Sequence, residues 1–298
     1  MGLRSGSLLV HTQGSQQRQE EDQDRRQSYR PRHHRPGPRL LDDPPQLGEV
    51  GRALRRQRLP RANPNLPSFE GGVEALREDP SPSEALTLPA VVEHIGGIID
   101  ELDSPPIIIG HSAGGLLTQI LLDHGYGAAG VVIDSVPAEG VKVVPVSQIR
   151  SLFPILKNPA NRHKAVGFTP EQFHYAFTNT LSREELDKVY ERYHIPASGR
   201  LVWVGATANF TPGHQEDYVD FSNEYRAPLL FIAGSEDNIM PPAVNQSNVK
   251  DYRHAKSPTD YKEFEGRSHY IVGQEGWEEV ADYALEWATE HATTHPTI

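Results

Sequence analysis

The chain has 298 residues and a formal net charge of −11, enough length for one large core or for a core carrying an inserted lid. It contains no cysteine, which excludes disulfides, thiolate zinc sites and a cysteine nucleophile. No apolar run approaches the roughly 20 residues of a membrane span, and the SLLV near the start is too short for a signal-peptide core, so a soluble cytoplasmic protein is expected.

Charge is spread unevenly. Residues 1–62 carry thirteen arginines, no lysine and seven acids, a charge of +6 that leaves −17 on the other 236 residues. The segment is rich in Arg, Gln, Pro and His and poor in periodic apolar residues. Such a composition reads as a basic tail of low order, able to touch nucleic acid or acidic surfaces. Residues 1–63 are therefore set apart as an aberrant basic segment, and residues 64–298 are expected to form the folded domain.

A helix is predicted over Leu88 to Leu102, with Val91, Val92, Ile95, Ile98 and Ile99 on its inner side. Pro106 to Ile109 is a β-branched run bounded by proline and glycine, the mark of a buried strand. Gly114 to Leu122 is apolar at helical spacing, with Leu116, Ile120 and Leu121 on one face. Strand and helix meet at Gly110-His111-Ser112-Ala113-Gly114, the pattern G-x-S-x-G. A serine at so sharp a turn sits in strained backbone, and glycines two positions either side leave room for the chain to pack. The helix that follows aims its free NH groups and positive dipole end at the serine.

The stretch PNLPSFEGGVEALREDPSPSEALTLPAVVEHIGGIIDELDSPPIIIGHSAGG resembles the α/β-hydrolase superfamily, in particular its small bacterial esterase-like and haloperoxidase-like members. The resemblance implies an α/β fold: a mostly parallel sheet, helices on both faces and a helical cap. It also implies a strand ending in His-Gly, a helix and a further strand ahead of the stretch, and these are missing from the text. Read one nucleotide later, the codons for residues 31–62 permit a β-branched strand, a His-Gly turn and an amphipathic helix. A frameshifted translation over about residues 30–62 is accordingly expected. A stop codon in the shifted frame of the coding DNA would dismiss it.

Beyond the serine, Ala128 to Ile133 reads as a strand ending at Asp134. Residues 141–226 form a long insertion with helical patterns at Ser147 to Leu156, Pro170 to Thr180 and Arg183 to Tyr193. An insertion at this point resembles the family's cap. Its aromatics, Phe153, Phe173, Tyr175, Phe177, Trp203 and Phe210, either line an acyl or aromatic pocket or form the cap's own core. Pro228 to Ala233 is the next strand. The loop after it is where the resemblance places the charge partner of a base, and Asp237 matches the form G-x-x-D-x-x-x-P. Glu236 should point away by alternation, and Asp134 occupies the alternative position.

Tyr261 to Phe264 is the last predicted strand, and the family's base falls on the loop that follows, at His269. Of the fourteen histidines, His163, His174, His194, His214 and His254 read as surface residues, and His111 is expected to turn into the serine's elbow. His291 and His295 have metal-like spacing without a third ligand, so no metal site is read. An amphipathic helix from Trp277 to His291 closes the chain, with Val280, Ala281, Ala284, Leu285 and Ala288 toward the sheet.

The order Ser112, Asp237, His269 is the family's order. It implies acyl transfer on a small-molecule ester-type substrate, with the Ala113 NH as one oxyanion donor and the second donor inside residues 31–62. No cofactor and no nucleic-acid or membrane partner are expected. Two other readings are open: a chain whose triad is present but idle because its first strands and one oxyanion donor are lacking, and a basic-tailed binding module on a hydrolase scaffold.

Overall fold

The computed structural model describes Leu8–Thr12, Arg61–Ala62, residues 64, 66, 67 and 69, and residues 72–293. The frameshift expectation and the second oxyanion donor therefore fall outside the described residues, apart from Arg61–Ala62. Among the described residues no helix is long and apolar enough to cross a membrane.

Six strands form the main sheet: β1 (Leu8–Thr12), β2 (Arg61–Ala62), β3 (Pro106–His111), β4 (Ala129–Ile133), β7 (Leu229–Gly234) and β8 (Thr259–Phe264), in the order β2-β1-β3-β4-β7-β8. From β3 to β8 the neighbours are parallel. On the other flank of β3, β1 runs antiparallel, with Leu8 opposite Gly110 and Thr12 opposite Pro106, and β2 pairs antiparallel with β1. Two further short strands, β5 (Ala165–Val166) and β6 (Ala197–Ser198), pair with each other away from this sheet.

The central strands are fully buried because each is apolar on both faces, as a parallel sheet covered on both sides requires. Alternation then sorts their residues. Ile108, Val132, Leu229 and Phe231 face a core shared with α3 (Leu88–Asp100) and α4 (Ala113–Asp123). Ile107, Ile109, Val131, Ile133, Leu230 and Ile232 face a second core built with α10 (Trp277–His291), through Val280, Ala281, Ala284, Leu285 and Ala288. Two short helices, α1 (Gly72–Glu78) and α2 (Ser81–Ala85), precede α3, which starts where the Thr87 hydroxyl accepts the Ala90 NH at 3.3 Å.

Between β4 and β7 lie α5 (Val146–Leu156), α6 (Pro170–Phe177), α7 (Arg183–Tyr193) and α8 (Gly199–Thr207). Capping boxes set the starts of α6, through Thr169 and Gln172, and of α7, through Ser182 and Glu185. Helix α6 stops at Phe177, three residues before the predicted end, because Thr178 leaves helical geometry and its carbonyl accepts the Leu181 NH in a turn that leads into the Ser182 cap. These elements surround their own core, in which Phe168, Phe173, Phe177, Ile155 and Leu186 meet Ile239 and Met240 from the loop after β7.

Of the aromatics named from the sequence, Phe173 and Phe177 are buried in that core and Trp203 packs against it, whereas Phe153 is 58% exposed and Phe210 87% exposed. Neither of the last two belongs to a buried core among the described residues. His194 corrects another expectation: it is buried, its Nε2 accepts the Phe168 NH at 2.9 Å, and its ring stacks on Tyr190 with centroids 4.5 Å apart. Position at the C-cap of α7 turns it inward, and burial lowers its pKa to about 3, so the neutral ring that accepts this bond persists.

Asp217, in the long connection from α8 to β7, is buried with no donor to its Oδ1 among the described residues, and burial raises its pKa to about 6 from the ordinary 3.8. The folded state therefore binds this proton more tightly than the unfolded chain. Its contribution to stability is complete below about pH 3.8 and is lost as pH rises through about 6. Asp217→Asn removes the buried charge, so its melting temperature should exceed wild type at pH 8 and converge on it toward pH 4. A variant less stable than wild type at pH 8 would show that the ionised carboxylate is instead supported.

Candidate active site

β3 delivers Ser112 to the C-terminal edge of the sheet, the edge at which open parallel sheets form their sites. The Ser112 NH donates to the Ile133 carbonyl at 2.9 Å, and its own carbonyl accepts the NH groups of Gly115 and Val136. Its φ is 57° and ψ −119°, a conformation that a non-glycine residue adopts only when the surroundings enforce it. α4 begins at the next residue, so the Ala113 NH opens that helix beside the hydroxyl.

Two glycines allow this elbow to close. A Cβ on Gly110 would stand 2.0 Å from the Gly114 carbonyl oxygen and 2.4 Å from Thr118 Oγ1. A Cβ on Gly115 would stand 2.6 Å from Ser135 Oγ. Gly110→Ala should therefore destabilise the fold by about 3 kcal/mol or more, since backbone and not a flexible side chain blocks the methyl group. Chemical denaturation checks this, and a variant within about 1 kcal/mol of wild type would mean that the elbow opens without cost.

The turn after β7 supplies Asp237. Its Oδ1 accepts the NH groups of Ile239 and Met240, both at 2.8 Å, which leaves Oδ2 to accept His269 Nδ1–H at 2.6 Å. His269 comes from the loop after β8, and its Nε2 lies 3.0 Å from Ser112 Oγ. With the Nδ1 proton held by a carboxylate, Nε2 is the lone-pair nitrogen that faces the hydroxyl. Ser112, Asp237 and His269 are 7%, 3% and 0% exposed. The structure thus brings together the three side chains that the sequence separates by 125 and 32 positions. Glu236 is exposed, as expected from alternation.

The insertion lies against this array. The Phe177 ring is 5.5 Å from that of His269, and the Phe177 carbonyl accepts the Tyr270 NH at 2.9 Å. Asn179 Nδ2 donates to the Glu236 carbonyl, Asn238 Nδ2 to the Tyr175 carbonyl and Ser151 Oγ to the Asn238 carbonyl. Each of these ties the loop of Asp237 or His269 to α5, α6 or the turn that follows α6.

Two further residues adjoin this array: His111, which the sequence sets beside the serine, and Asp134, the alternative position for the acid. β3 runs on through His111, which has the same parity along the strand as Ile107 and Ile109. Its Nε2–H donates to the His269 carbonyl at 2.9 Å, and the two rings are 4.7 Å apart. Asp134, at the end of β4, is fully buried with φ 46°. His111, Asp134 and His269 each bring one nitrogen or oxygen within 4.8 Å of the others. Both ring nitrogens of His269 already face Ser112 and Asp237, so this trio extends the same array.

A mostly parallel sheet with helices on both faces and a serine elbow at its C-terminal edge defines the α/β-hydrolase class. The model of the alpha/beta hydrolase family matches residues 18–283, and the chain belongs to that family. A search of curated proteins found no match. Among solved structures, a pyrethroid hydrolase from Sphingobium faniae JZ-2 is similar at 17% identity and a TM-score of 0.55, over 82% of this chain and 92% of that one. A monoacylglycerol lipase from Paleococcus ferrophilus is similar at 21% identity and a TM-score of 0.47, over 70% of this chain and 77% of that one. A thermophilic esterase from Thermogutta terrifontis is similar at 15% identity and a TM-score of 0.47, over 70% and 74%. At 17% identity the likeness to the pyrethroid hydrolase is one of fold.

Proposed function

We propose that the protein is a serine hydrolase that cleaves small-molecule substrates with an ester-type carbonyl through an acyl-enzyme. The observation that carries this reading is the unbroken chain from Ser112 Oγ to His269 Nε2, 3.0 Å, and from His269 Nδ1 to Asp237 Oδ2, 2.6 Å. His269 takes the Ser112 proton as Oγ attacks the carbonyl carbon, and the Asp237 carboxylate holds the ring and stabilises its cation. The oxygen that gains charge meets the Ala113 NH and the positive end of α4. His269 then protonates the departing alkoxide. A water that gives its proton to the same nitrogen releases the acid and restores Ser112.

A fluorophosphonate probe tests the reading because it forms a stable adduct only with an activated serine. Peptide mapping should place the adduct on Ser112. A chain that melts cooperatively yet takes up no probe, or takes it up at another serine, would overturn the assignment.

A further inference from the structure

Asp134 has no part in the mechanism above, although it is 0% exposed and lies beside the Asp237 carboxyl within hydrogen-bonding reach. Its Oδ1 accepts the Gly234 NH at 2.8 Å, and among the described residues its Oδ2 has no donor. Asp237, by contrast, accepts from three donors: the NH groups of Ile239 and Met240, and His269 Nδ1. Apart from glycines, Ser112 and Asp134 are the residues with positive φ among those described, so the backbone is held in an uncommon conformation to seat this acid.

Two adjacent buried carboxyls do not both ionise, and the proton goes to the one with fewer donors. We propose that Asp134 is held as the neutral acid and donates its proton to Asp237, making it a positioning residue that sets the orientation and basicity of the carboxylate behind His269. The unpartnered Oδ2 then becomes a donor, and both oxygens of Asp134 are satisfied. Burial, and after it the negative charge of Asp237, push the Asp134 carboxyl well above the ordinary carboxylate range, against the opposing pull of the Gly234 bond. The other titratable groups that face it are His111 from the end of β3 and His269 from the loop after β8, with Tyr261 of β8 acting at longer range.

This inference rests on the triad reading, and its test has one arm that does not. The un-ionised carboxyl has its own carbonyl stretch in the infrared, shifted in D₂O. At pH 8, where Asp217 is ionised, the wild-type protein should show that band and Asp134→Asn should lack it. The kinetic arm uses hydrolysis of p-nitrophenyl acetate. Asn donates and accepts as the neutral acid does, so Asp134→Asn should leave the acid limb of kcat/KM in place, whereas Asp134→Ala should lower the rate about tenfold and move that limb upward. Absence of the wild-type band overturns the proposal, whether or not the variants fold. So does a fall of the acid limb by about one pH unit or more in Asp134→Asn, which would mean that a negative charge had been removed from beside His269. Failure of Ser112 to label would defeat the triad reading and leave the infrared band to decide the position of the proton.

Discussion

Ser112→Ala is expected to lower the hydrolysis of p-nitrophenyl acetate by about 10⁶-fold, the loss seen when the nucleophile of such a unit is removed. The size of the effect follows from the geometry. His269 Nε2 faces the Ser112 hydroxyl at 3.0 Å, so without that oxygen the base has no nucleophile to activate. Removal of one hydroxyl leaves the backbone bonds of residue 112 to Ile133, Gly115 and Val136 in place, and the melting temperature should stay close to wild type. The same variant should take up no fluorophosphonate. Kinetics and calorimetry on one preparation check both parts, and substantial residual activity would place the nucleophile elsewhere.

Asp237→Asn is expected to cost about 10⁴-fold in kcat with little change in stability. Asn matches Asp in size, but its orientation is dictated by the two NH groups of Ile239 and Met240, which only an oxygen can accept. The amide nitrogen must then face His269 Nδ1, where a carboxylate oxygen stood at 2.6 Å. Two donors cannot share that contact, so the ring shifts to the tautomer whose proton sits on Nε2 and the lone pair facing Ser112 is lost. Measurement of kcat across pH checks the prediction. A rate within tenfold of wild type would transfer the role of acid to Asp134, the alternative position at the end of β4.

Much of this arrangement is legible in the chain. The runs Pro106 to Ile109, Ala128 to Ile133 and Pro228 to Ala233 are apolar without polar interruption, and all three are buried parallel strands, each within two residues of the predicted bounds. The closing helix has the predicted limits, Trp277–His291, because one clean apolar stripe faces the sheet. Elements without such a stripe escaped. α9 (Pro242–Asp251) offers little more than Val244 and Val249 to a helical pattern, and α8 mixes β-branched Val202 and Val204 with Gly199 and Gly205. Ser198, whose hydroxyl accepts the Leu201 NH, starts α8 nonetheless.

By itself the sequence determined the elbow, the strand ends and the order of serine, acid and imidazole, because each is local: a glycine spacing, an apolar run, a loop after a strand. Only the tertiary structure decided that His111 turns toward the His269 loop, that His194 is buried, and that Asp134 comes to lie against Asp237. Those relations depend on which strands are neighbours and on the parity of a residue along its strand. Side chains 103 positions apart, as Asp134 and Asp237 are, come together only because β4 and β7 pair and end at the same edge.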